Sequence, residues 1–99
     1  MNKKDEKRLN SKRMQQRIQN IAKIYVKDSY KLFSNPICRG EKFCWKDFPK
    51  ITAGIAKVSA FTCFANWDSF SIELQETIEK QVYELTEGLA QKKLDENIQ

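Results

Sequence analysis

The chain predicts an all-α fold, a small three-helix bundle with a basic N-terminal arm and a structured aromatic loop between helices 1 and 2. Apolar residues recur at helical spacing in three separated stretches. Glycine (3) and proline (2) are scarce, which leaves few of the tight turns that sandwiches and barrels need. Charge is also sorted along the 99 residues. Residues 1–34 hold ten Lys or Arg against three acids, whereas residues 67–99 hold eight acids against three lysines.

Residues 1–9 are expected as a basic flexible arm without core residues, able to order on binding. Residues 10–99 are expected as a single helical domain. The first helix, about 10–34, follows from Met14, Ile18, Ile21 and Tyr25, which step by 4, 3 and 4. Asn10 or Ser11 is its candidate cap, and Ser34-Asn35-Pro36 stops it, because a residue before proline is pushed out of the helical region. Residues 36–48 keep neither the helical nor the strand period and read as a structured loop.

Pro49 suits a first helical position, where its missing N–H is not needed, and opens a second helix over about 49–65. Ile51, Ile55, Val58, then Phe61 or Thr62, and Ala65 mark its expected buried stripe, and Ala53, Gly54, Ala56 and Ala60 would let a neighbouring helix come close. With Lys57 alone charged between Ile51 and Trp67, this segment reads as the central, most buried helix. A strand competes over residues 58–65, which are rich in β formers.

The last helix, about 70–93, starts near Ser69 or Ser71, with Glu73 and Glu76 suited to the positive end of its dipole. Its stripe of Leu74, Ile78, Val82, Leu85 and Leu89 steps by 4, 4, 3 and 4. Leu74, Ile78, Val82 and Leu85 should meet Ile18, Ile21, Tyr25, Ile51, Ile55 and Val58, so aspartate at position 55 or 78 should unfold the protein. The same stripe is long enough for a homodimer seam.

Catalysis is poorly supplied, since histidine, the commonest general base, is absent from the sequence. No glycine-rich phosphate loop or GxSxG turn occurs. The five residues between Cys38 and Cys44 do not match a zinc knuckle, so neither metal nor cofactor is expected, and the thiols read as small buried groups whose pairing spacing leaves open. An odd set of three cysteines and no apolar run of membrane-spanning length point to a cytoplasmic protein with reduced thiols and no membrane partner.

The candidate contacts are Lys12, Arg13 and Arg17 on the first helix, with Arg39, Lys42, Trp45, Lys46 and Phe48 in the loop. Cations that hold phosphates, interleaved with rings that stack bases, would suit nucleic acid. Trp and Arg also anchor protein interfaces, and the rings could simply close the ends of the core. The leading expectation is a non-catalytic adaptor or inhibitor, of the phage or bacterial accessory type, that docks on a larger protein or ribonucleoprotein. DNA or RNA binding by the same basic surface is the alternative.

Overall fold

The structure is a computed structural model and describes residues 1–97. It is all-helical, with four α-helices where three were expected: α1 (Lys3–Leu9), α2 (Lys12–Phe33), α3 (Phe48–Ser59) and α4 (Ile72–Asn97). Short 3-10 turns occupy Trp45–Asp47, Ala60–Cys63 and Trp67–Ser69. Residues 58–65 contain no strand; α3 ends at Ser59 and tightens into the second of these turns.

Side-chain caps fix the starts of α1, α2 and α4, whereas α3 has none and opens on Phe48-Pro49. Asn2 Oδ1 accepts from the Asp5 N–H (2.8 Å), Ser11 Oγ from Met14 N–H (3.1 Å) and Ser71 Oγ from Leu74 N–H (3.1 Å). Acids follow the cap in α1 (Asp5, Glu6) and α4 (Glu73), but the first turn of α2 has none. At the far end of α2, Ser34 Oγ donates to the Tyr30 carbonyl (2.6 Å) and Asn35 Oδ1 accepts from Ile37 N–H (3.0 Å). Both bonds turn the chain into the loop.

Residues 1–9 are therefore not an arm. Leu9 packs into the core, and Asp5, 4% exposed, accepts a hydrogen bond from Ser71 Oγ and lies 3.8 Å from the Arg8 guanidinium. The Met1 ammonium sits 2.8 Å from Glu73 Oε1, whose hydrogen bond and charge raise its pKa above 8.0. The expectation failed because Lys3, Lys4, Lys7 and Arg8 masked a capped helix whose one inward face is Asp5 and Leu9.

The core has two parts. Ile18, Ile21, Ala56, Ala60, Phe64, Phe70, Leu74, Ile78 and Val82 fill one end, with Leu9 from α1. Val26, Phe48, Ala90 and Leu94 fill the other, under Tyr30, Phe33, Phe43, Trp45 and Leu89. The fully buried Ala22, Thr52, Ala53 and Thr86 belong to neither cluster.

The expected stripe of α3 is on the wrong side. Ile51, Ile55 and Val58 are 37%, 39% and 67% exposed, while Thr52, Ala53, Ala56 and Ala60 are fully buried. Small side chains let two helix axes approach toward the short end of the usual range of about 8–10 Å, and α3 packs most extensively on α4. The molecule is also thin. Its principal extents are 46 × 24 × 17 Å and its radius of gyration is 14.9 Å, against about 13 Å for a compact chain of this length. Among the described residues no element covers the outer side of α3, so it is not the enclosed helix that its composition suggested.

On α4, Leu74, Ile78 and Val82 are completely buried inside their own chain, with Leu85 and Leu89 half-buried. The expected homodimer seam is already occupied. The inward line continues by fours through Thr86, Ala90 and Leu94. Among the described residues no helix is long and apolar enough to cross a membrane.

Candidate functional site

The two groups of candidate contact residues stand at opposite ends of α2, a helix of 22 residues and hence about 33 Å long. Lys12, Arg13 and Arg17 lie at its start, whereas the loop bearing Arg39, Lys42, Trp45, Lys46 and Phe48 folds over its end. They do not form one site.

Much of the loop is spent on structure. Phe48 is fully buried, so it cannot be a contact residue. Trp45 is half-buried, with its ring 5.4 Å from Tyr30, 5.1 Å from Phe43 and 5.4 Å from Phe48, and Phe33 stacks on Phe43 at 4.8 Å. Arg39 donates to the Phe33 carbonyl (3.3 Å) and lies over the Phe43 ring. These rings close the end of the core. Lys42 and Lys46 remain exposed beside Cys38 and Cys44, which are exposed free thiols and not the buried groups expected.

At the start of α2, Arg13 and Arg17 join Arg8, which sequence reasoning had assigned to the arm. The three arginines line an open cavity of about 400 Å³ with Ser11, Asn66, Phe64 and Phe70, and no carboxylate borders it. Arg8 lies 5.5 Å from the Phe70 ring centre and Arg17 lies 5.2 Å from that of Phe64. Each ring holds a guanidinium by its π face.

A second basic site lies at the other end of α2. Lys23, Lys27 and Lys31 recur every four residues on one side of the helix, and the end of α4 brings Lys92 and Lys93 against them around a cavity of about 430 Å³. Its one carboxylate is Glu96, and Val26, Tyr30 and Leu89 supply its apolar part. The four-residue spacing was legible in the sequence. Lys92 and Lys93 were not, because they come from a helix whose earlier turns are acidic. Those turns line a separate cleft against α3, where Glu76, Glu79, Glu84 and Glu87 surround Lys57, Lys80 and Tyr83.

The third surface is apolar. Ile24, Tyr25 and Leu32 of α2 face Ile55 across a groove of about 480 Å³ that also includes Ile21, Asp28 and Cys63. Ile24 and Leu32 are 56% and 50% exposed, and Ile51, Val58 and Phe61 extend the apolar surface along α3 and its following turn. Large side chains scattered singly mean little, but here three of them, Ile24, Leu32 and Ile55, line one groove.

Among the described residues no three Cys, Asp or Glu side chains gather as metal ligands. No protein-family model, curated protein or solved structure matches the chain.

Proposed function

We propose that this chain is a non-catalytic interaction protein, an adaptor or inhibitor, that docks on a larger protein or ribonucleoprotein through the apolar α2–α3 face. The exposed Ile51, Ile55 and Val58 stripe beside Ile24 and Leu32 carries this reading. Full burial of such a side chain from water contributes about 1.5–3 kcal/mol, and the exposed fraction of each of these leaves a share of that for a partner to supply.

The occupant is argued from charge. Ile24 lies between Arg17 and Lys31 at seven-residue steps, and α2 as a whole carries six Lys or Arg against Asp28 alone. A second copy placed face to face would bring two such helices together, whereas a partner with an apolar patch flanked by carboxylates would complement them. In this reading the basic α2 borders the interface. The aromatic loop does not. Exposed free thiols at Cys38 and Cys44 suit a reducing compartment, in keeping with a cytoplasmic site of action.

The test is co-purification of the tagged protein from its natural host after nuclease treatment, with a photo-crosslinker placed at Val58. One defined protein should crosslink, and its affinity should fall about tenfold or more in Val58→Asp and Ile55→Asp. Retention of the same protein at full affinity by both folded variants refutes the assignment of this face.

A further inference from the structure

We infer that the solvent side of α2 is a track for the phosphate backbone of double-stranded nucleic acid, running from the Arg8–Arg13–Arg17 cavity to the lysine groove shared with the end of α4. The two ends of this track share Arg17 and Lys31 with the border of the apolar face, but Arg8, Arg13, Lys92 and Lys93 line only the track. At the first, three guanidinium groups surround an open cavity; Arg8 has Asp5 at 3.8 Å behind it, whereas no carboxylate of the lining faces Arg13 or Arg17. The first turn of α2 also lacks the acid that α1 and α4 place there, which leaves the positive end of a long helix dipole uncompensated beside the same arginines. At the second, five lysines share one groove with Glu96. Like charges gathered this way repel one another in the free protein, and a polyanion relieves the repulsion.

Between the two ends, α2 exposes Gln16, Asn20, Lys23 and Lys27. Asp28, the helix's one acid, instead lines the apolar groove. The helix length of about 33 Å matches roughly one turn of a duplex, so both ends can meet phosphates of a single turn.

Duplex is favoured over single strand because the rings at both ends are already committed. Phe64 and Phe70 are 3% and 6% exposed, and Lys93 lies 5.0 Å from the centre of the Tyr30 ring. Among the described residues that line the two ends no ring stands free to stack an unpaired base, so the surface reads charge and spacing and not sequence.

Fluorescence anisotropy with labelled 24-base-pair duplexes, one of DNA and one of RNA, tests this over a salt series. At least one duplex should bind with an affinity that falls steeply with salt. Arg13→Gln and Lys27→Gln should each reduce the log–log salt slope by about one, and the Lys92→Gln/Lys93→Gln pair by about two. Lys57→Gln/Lys80→Gln removes equal charge from the acidic cleft and should leave the slope unchanged, as should Val58→Asp. Three results overturn the track: neither duplex binds at low salt, the cleft pair weakens binding as much as Lys92→Gln/Lys93→Gln, or a single strand of equal length competes as well as the duplex.

Discussion

The two sides of α3 are built on opposite rules. Toward α4 it presents Thr52, Ala53, Ala56 and Ala60, all fully buried, and away from the core it presents Ile51, Ile55 and Val58, each more than a third exposed. A helix that buried its largest apolar residues would gain more transfer free energy per residue. This one instead sets alanine-sized side chains against Leu74, Ile78 and Val82 of α4, which favours close approach of the two helices. The difference fits an inward face chosen by helix separation and not by hydropathy. It also explains why an isoleucine-rich stripe remains outside for a partner.

The sharpest break of this comparison is aspartate on either side of it. Ile78 is completely buried, so Ile78→Asp places a charge among Ile18, Ile21 and Val82 and should cost several kcal/mol, a large part of the 5–15 kcal/mol typical of a small domain. Ile55→Asp, at 39% exposure, should cost about 1 kcal/mol and keep a cooperative transition. Urea unfolding followed by circular dichroism separates the two. Equal loss would mean that the outer side of α3 belongs to the core after all.

A finer probe reverses the sizes. Ala56→Leu adds three carbons at a fully buried position, and overpacking of this kind costs about 1–3 kcal/mol. Val58→Ala removes two carbons from a side chain that is 67% exposed and should change stability by about 0.5 kcal/mol or less. If the larger loss came from Val58→Ala, separation would not be what sets the inward face.

How much of this could be read beforehand follows from the same geometry. The α4 stripe and the stop at Ser34-Asn35-Pro36 were legible because one period or one proline decides each of them. On α3 both faces are apolar, so the period fits either the Ile51–Ile55–Val58 line or the Thr52–Ala56–Ala60 line, and ranking by size picked the exposed one. The Arg8–Arg13–Arg17 cavity was half legible. Arg13 and Arg17 were named, but Arg8 comes from a helix whose inward face includes an aspartate, and Phe64 and Phe70 come from beyond α3. Lys92 and Lys93 join the α2 lysines only through the helix packing, which no local pattern records. Phe48 was named for its ring, but its full burial is set by the loop folding back over Tyr30 and Phe33.

The buried side of α3 carries one residue that neither size nor hydropathy explains. Thr52 is fully buried, as is Thr86 on α4, and among the described residues no group hydrogen-bonds to either hydroxyl. An unsatisfied buried hydroxyl costs about 1–3 kcal/mol, whereas valine keeps nearly the same outline and removes the polar atom. Thr52→Val and Thr86→Val should therefore each stabilise the protein by about 1 kcal/mol, or roughly 4–8 °C in thermal midpoint for a domain of this size. If separation alone governs this face, the two gains appear while Ala56→Leu is destabilising, since one change keeps the volume and the other does not. A loss of stability in both valine variants would show instead that the hydroxyls are satisfied and that polarity, not only close approach, holds α3 against α4.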